Sequence, residues 1–301
     1  MINFILIGLC LAAGMLFRRS GILPADAHKG INAWVIYLAL PAVSFKYLPH
    51  ITWDRSLLFP MAGPIIIWLG AWLLIRWYAS VKNINKKTEG GLKLAAGLSN
   101  TSFLGFPLVI AYYGESKMPT AIIYDQVNFM LLATAGVIVA VHSSKKERLS
   151  VTVILKRVVK FPPFIGCMAA LILPAFIDLT PVEPLFTSLA ATVGPMALFS
   201  IGLQLKFHGW AQYKDHISVA LLYKLIIGPA LVLAIAFLSG IKGSIAQISV
   251  FEAAMPTLVT AGIIADQYDL DPTLVSLIIG IGIILSFTTT FLWWGVLRVF
   301  S

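Results

Sequence analysis

The sequence predicts an all-α polytopic membrane protein of ten transmembrane helices, set out as two inverted five-helix repeats, with helices 4 and 9 broken. Three observations carry this. Of 301 residues, 59% are hydrophobic and 12% charged, with a mean hydropathy of +0.90; a soluble domain carries about twice that charged fraction. The apolar residues gather in runs long enough to cross a hydrocarbon core, which takes about 20 residues per helix. Polar and helix-breaking residues cluster inside two of those runs. No segment shows the alternating pattern of an outer-membrane strand.

The first run, from Ile2 to Phe17, differs from a signal peptide. Its charges, Arg18 and Arg19, follow the apolar stretch, and no small-residue cleavage site is evident. It reads as a short, retained first helix. Further spans follow at 30–48, 57–79, 91–113, 119–141, 160–178, 184–205, 217–238, 243–265 and 272–297.

Basic residues orient these spans. With the N-terminus outside, 17 of the 22 Lys and Arg residues fall on the cytoplasmic side and 5 outside. Lys206, Lys214 and Lys224 are counted together in the loop before span 8. The bias places both termini outside. It also explains the net charge of +9 without nucleic-acid binding. Cys10 and Cys167 lie within apolar runs, which argues against a disulfide framework, and the scattered histidines show no metal spacing.

The spans divide into a first repeat over 1–141, a basic connecting loop over 142–159 and a second repeat over 160–301. Five is odd, so two such halves in series lie inverted in the membrane, an arrangement that recurs in secondary transporters. Span 2 has "LALPAVSF" with Pro41 and span 7 has "TVGPMALF" with Pro195. Span 4 has "GLSNTSFLGFPLVIAYYG", with Ser99, Asn100, Thr101, Gly105 and Pro107. Span 9 answers it with "FEAAMPTLVTAG", containing Pro256.

A proline removes a backbone donor and clashes with the carbonyl one turn back. In hydrocarbon the freed groups find no water, so such breaks survive inside protein or beside a wet cavity. Broken helices present N-terminal ends suited to a carboxylate and C-terminal carbonyls suited to a cation. Two breaks in matching positions of two halves point to a substrate site. Helix packing by Ser, Thr and Gly is the plainer reading of the same residues.

"LSNTSFLGFPLVIAYYG" resembles the fourth span of the auxin efflux carrier family, whose plant members are the PIN-FORMED proteins, with Ser99 where those have Pro. "AAMPTLVTAGIIADQYDLDPTLVS" resembles their ninth span. The resemblance extends over the whole chain in span number, and the long cytoplasmic loop of many plant members is absent, as in bacterial relatives. It implies a scaffold of spans 1, 2, 6 and 7, usually dimeric, and a mobile transport domain of spans 3–5 and 8–10. It implies substrate held near Asn100 and Pro256, and organic anions as substrates, such as auxin, malate or malonate. With Ser99 in place of Pro, the break in span 4 lies anywhere from Ser99 to Pro107.

Two acidic residues fall well inside spans, Asp125 and Glu252. Ionisable residues at depth are costly and are functional candidates. Glu252 lies one turn before Pro256. With Ser99, Asn100 and Thr101 it is similar to the sodium-binding arrangement of bile-acid sodium symporters, and oxygen ligands suit a hard cation. A proton on Glu252 and a purely structural role are the other readings. Asp125 shares a helical face with Asn128 and reads as a cavity-lining group or a contact within the transport domain. Asp271-Pro272 reads as an N-cap with Pro in the first turn.

The expectation is a secondary transporter of the bacterial cytoplasmic membrane, moving a small organic anion by elevator-type alternating access. Asn100 and Thr101, with Ser99, Pro256 and Thr257, would hold the substrate. The helix-break residues are Gly105, Pro107, Pro256, Pro41 and Pro195. No cofactor or metal is expected beyond Na+ or H+ as coupling ion. A sodium-coupled anion symporter is the alternative, and an anion channel a weaker one. No nucleophile–base set or His-Glu-x-x-His appears to support an intramembrane enzyme.

Overall fold

The structure, a computed structural model, describes residues 2–51, 53–144, 152, 158–205 and 209–299. Most of the connecting loop at 142–159 lies outside these. The described residues are helical and form no strand. Seven helical runs are long and apolar enough to cross a membrane: Ile2–Ser20, Ala27–His50, Arg55–Lys82, Glu115–Ser144, Thr180–Gln204, Trp210–Leu238 and Pro272–Val299. Thr101–Tyr113 and Pro162–Ala175 are shorter apolar helices. The helix Lys86–Gly97 precedes the former, and Gly243–Ala253 and Val259–Gln267 lie on either side of Pro256. Large apolar side chains remain on the outside, with Leu238 82% exposed and Phe176 79%. In water such surface would be costly; in lipid it is solvated.

The eighth expected span starts too late in the sequence reading. Its helical run begins at Trp210, not at 217, because the 3-10 turn Trp210–Tyr213 leads directly into the helix Lys214–Leu222. Lys224, counted with the loop although the expected span 217–238 already contains it, lies in the middle of this run, and Lys214 lies near its start, so neither is a residue of the preceding loop.

Proline acts here through widened turns. The π-helical segments Val35–Ala39, Thr101–Gly105 and Tyr223–Ile227 each end two residues before a proline: Pro41, Pro107 and Pro229. A π turn gives the pyrrolidine ring room beside the carbonyl one turn back, so the helix continues without a break. Pro41 accordingly bulges its span without interrupting it. Pro195 sits in the first turn of Val193–Gln204, after a turn at Thr192, where a missing N–H costs nothing. A fourth π segment, Leu132–Gly136, has no proline; the Thr134 hydroxyl donates to the Met130 carbonyl at 2.6 Å, a bond that bends helices.

The chain forms two compact units. The first comprises residues 1–54, 102–122 and 156–205. Within it, Ile2–Ser20 packs on Val193–Gln204 at a glycine pair: a Cβ on Gly14 would lie 2.3 Å from the Phe199 carbonyl oxygen, and one on Gly202 2.4 Å from that of Leu11. Small residues let the backbones approach this closely. Arg18 donates to the Leu203 and Leu205 carbonyls at the far end of that helix, and the Ser200 hydroxyl donates to Asn32 Oδ1 at 2.6 Å. Lys46 Nζ and the Tyr47 hydroxyl both donate to Glu115 Oε2, at 2.9 and 3.1 Å. They line a cavity of about 300 Å³ with Phe106, Pro107 and Pro195.

The second unit comprises residues 55–101, 123–155 and 206–301. Its helices pack around Lys86–Gly97, where Gly97 lies against the Trp68 ring. At one end, Lys87 pairs with Asp269, and the Thr88 hydroxyl donates to Asp271 at 3.2 Å. The acidic loop that lacks basic residues thus meets the basic start of this helix. Asp271 Oδ1 accepts from the Leu274 N–H at 3.4 Å and caps the helix that Pro272 opens.

Candidate functional site

The crossing lies wholly within the second unit. The helix Lys86–Gly97 stops at Leu98, whose φ of −116° and ψ of 129° are extended. Helix resumes at Thr101. No proline stands at this break. Ser and Asn side chains compete for backbone groups and disfavour helix interiors. In the second half, Gly243–Ala253 stops ahead of Pro256, which has no N–H to offer, and the residue before a proline avoids helical geometry. Leu258 is extended, and helix resumes at Val259.

The two extended breaks pair with one another. The Asn100 N–H donates to the Pro256 carbonyl at 2.8 Å, and the Leu258 N–H to the Leu98 carbonyl at 3.0 Å. Ser99 and Thr257 face each other as an isolated antiparallel bridge. The outward backbone groups of Ser99 are met by Asn128: its Oδ1 accepts from the Ser99 N–H at 3.1 Å, and its Nδ2 donates to the Ser99 carbonyl at 2.8 Å. Every backbone polar group at membrane depth needs such a partner.

This geometry fixes the break at Leu98 to Asn100, ahead of Gly105 and Pro107. Gly105 ends the π turn and Pro107 lies in the first turn of Phe106–Tyr113, so neither interrupts the helix. Gly105, Pro107, Pro41 and Pro195 belong to the first unit and take no part in this hydrogen-bond set.

Side chains close the C-terminal ends of both leading half-helices. The Thr257 hydroxyl donates to the Ala95 carbonyl at 2.7 Å. Lys224 Nζ donates to the Ala253 carbonyl at 3.1 Å and to Ser99 Oγ at 2.6 Å. Lys224 is completely buried. Counting it with loop residues missed it; the signal was a lysine inside "LLYKLIIGPALV", an otherwise apolar run.

The N-terminal ends at Thr101 and Val259 carry the backbone N–H groups that a helix leaves over in its first turn. Thr101 donates its hydroxyl to Asp125 Oδ1 at 2.5 Å, and Asn128 Nδ2 reaches Thr101 Oγ1 at 3.4 Å. Asp125 is thus a contact within the second unit. Glu252 interacts electrostatically with Asp125 and Lys224. Its carboxylate oxygens have no hydrogen-bond partner among the described residues, and neither do Asn100 Oδ1 and Nδ2. Asn100 and Glu252 are both completely buried. A buried polar atom left unpaired costs about 1–3 kcal/mol, and such atoms call for an explanation. No group of three metal-ligating side chains occurs among the described residues.

The crossing thus joins two broken helices and leaves buried polar atoms spare at membrane depth. A family model described as "Membrane transport protein" matches residues 3–294. The chain belongs to this family, the auxin efflux carriers. It is a multi-pass membrane transporter. It is 27% identical over 288 residues to an "Uncharacterized transporter" of Methanothermobacter thermautotrophicus, covering 93% of this chain and 92% of that one. A "Putative malonate transporter" of Rhizobium meliloti is 26% identical over 81% of this chain and 79% of its own. "Auxin efflux carrier component 8" of Arabidopsis thaliana is 29% identical over 97 residues, 32% of this transporter and 26% of the plant protein.

Proposed function

We propose that this transporter is a secondary carrier of a small organic anion, working by elevator-type alternating access in the cytoplasmic membrane. The observation that carries the reading is an asymmetry at the crossing. The carbonyl ends of the leading half-helices, which suit a cation, are occupied by Thr257 and Lys224. The N-terminal ends at Thr101 and Val259, which suit a carboxylate, lie beside the unpaired amide of Asn100. In this reading Ser99, Asn100, Thr101, Pro256 and Thr257 hold the substrate. A monocarboxylate of the auxin kind or a dicarboxylate such as malate or malonate has the chemistry. The Rhizobium meliloti relative carries malonate in its name and the Arabidopsis thaliana relative auxin.

The proposed movement has the unit with the crossing as its transport domain. Residues 1–54 and 156–205 would be the scaffold, through which two copies would dimerise, with both termini outside. The proposed inverted repeat draws support from interrupted helices in both halves, at Leu98–Asn100 and around Pro256. The test is counterflow in proteoliposomes preloaded with malonate, malate or indole-3-acetate. Saturable counterflow of one of these by the wild type, and its loss in Asn100→Ala, is the expected result. Non-saturating flux without counterflow would overturn the carrier reading in favour of a channel.

A further inference from the structure

The side chain of Lys224 ends among buried oxygen acceptors at the crossing. Its Nζ has as partners a hydroxyl, Ser99 Oγ at 2.6 Å, and a helix-terminal carbonyl, Ala253 O at 3.1 Å. The Glu252 carboxyl, whose oxygens have no hydrogen-bond partner among the described residues, acts on it from beyond hydrogen-bond distance. The two oxygens in contact, a hydroxyl and a carbonyl, are ligands a hard alkali-metal ion takes, and a nearby carboxyl group favours a cation there. All three come from the two breaks and their flanks, and all are buried. The Ala253 carbonyl only accepts, so Nζ donates to it, and a positive charge at a helix C-terminus is stabilised by the peptide dipoles.

We propose that the ammonium of Lys224 is a resident cation that ties the end of Gly243–Ala253 to the extended break at Ser99, in a seat whose oxygens would otherwise suit an alkali-metal ion such as sodium. The tie joins an element from each half of the chain through a third, the run Trp210–Leu238. A tethered ammonium holds the crossing together at every stage of transport. An exchangeable ion would release it whenever it left, which is how ion binding is coupled to substrate binding in a symporter. Lys224 is a positioning residue: it shapes the ends that face the substrate, and its charge also offsets one of the two buried carboxylates, Asp125 and Glu252. This inference rests on the crossing alone, whichever anion is carried.

The test is the unfolding temperature of the purified full chain in sodium chloride against equimolar choline chloride, with no substrate present. Wild type unfolds at the same temperature in both. Lys224→Ser unfolds earlier in choline and recovers by several degrees, saturably, in sodium, because the short side chain vacates the seat. Lys224→Met, which fills the space without a charge, gains nothing from sodium. In Lys224→Ser combined with Glu252→Gln the sodium effect disappears. Saturable stabilisation of the wild type by sodium would overturn the proposal, as would a folded Lys224→Ser protein indifferent to the cation. Where Lys224→Ser does not accumulate, the wild-type titration decides: indifference supports the resident cation and saturation refutes it. The substrate-free readout keeps this outcome separate from that of the counterflow assay.

Discussion

The carboxamide of Asn128 closes both outward backbone groups of Ser99, accepting from its N–H at 3.1 Å and donating to its carbonyl at 2.8 Å. A side chain from the neighbouring helical run thereby does what a third strand would do. Asn128→Ala leaves both groups buried and unpaired, and its expected cost is about 2–4 kcal/mol. Asn128→Asp keeps the acceptor but sets a second carboxylate against Thr101, already bonded to Asp125, and is expected to destabilise as well. Thermal unfolding of the purified variants checks both.

Asn100 gives the opposite signature. Its polar atoms are buried without partners, so Asn100→Ala removes a desolvation penalty of about 1–3 kcal/mol. The variant should unfold at the same temperature as wild type or higher, while counterflow of the organic anion falls to background. A loss of stability together with a loss of transport would instead mark Asn100 as a packing residue.

Thr257 caps the Ala95 carbonyl through its hydroxyl at 2.7 Å. Thr257→Val is nearly isosteric and strands that carbonyl, for an expected loss of about 1–2 kcal/mol, whereas Thr257→Ser retains most of the bond. Comparing the two unfolding temperatures separates the hydroxyl from the methyl group.

Two glycines on packed helices of the first unit should respond differently. A Cβ on Gly202 would meet the Leu11 carbonyl oxygen at 2.4 Å, so Gly202→Ala forces backbone apart at a cost of about 1–3 kcal/mol. Gly8, on the helix Ile2–Ser20, has nothing within 4 Å of its would-be Cβ, and Gly8→Ala is expected to be neutral or stabilising by about 0.5–1 kcal/mol. Paired melting curves make the comparison.

At the acidic loop, Lys87 and Asp269 are both about half exposed, so Lys87→Ala should change stability by only about 0–1 kcal/mol. Asp271→Val is expected to cost about 2–3 kcal/mol, because Asp271 combines a left-handed φ of 52° with the cap on the Leu274 N–H. Asp271→Gly loses the cap while relieving the strain, and should fall between.

Local chemistry made much of this protein legible. Runs of apolar residues announce membrane helices because hydrocarbon leaves the backbone no other partner. "FEAAMPTLVTAG" announced its break because Pro256 removes a donor wherever it sits. "DLDPT" announced its cap because Asp271 and Pro272 act on the next turn alone. The sequence could not say where span 4 breaks. Gly105 and Pro107 look like stronger breakers than Leu98 to Asn100, yet a π turn absorbs Pro107, and the backbone opens where partners exist to receive it. Those partners, Pro256, Leu258 and Asn128, stand more than 25 residues away along the chain.

Lys224 marks the boundary most clearly. By composition a lysine is expected in a loop or at a span's end, since burying an unpaired ammonium is prohibitive. Only the tertiary structure supplies Ser99 Oγ and the Ala253 carbonyl, from two other helices, and so makes its burial affordable. The sequence by itself determined the solvent, the helices and the residues that cannot stay helical, because these follow from neighbours in the chain. Tertiary structure decided which broken ends are filled and which are left open, because hydrogen bonds across the crossing depend on groups brought together from opposite halves of the chain.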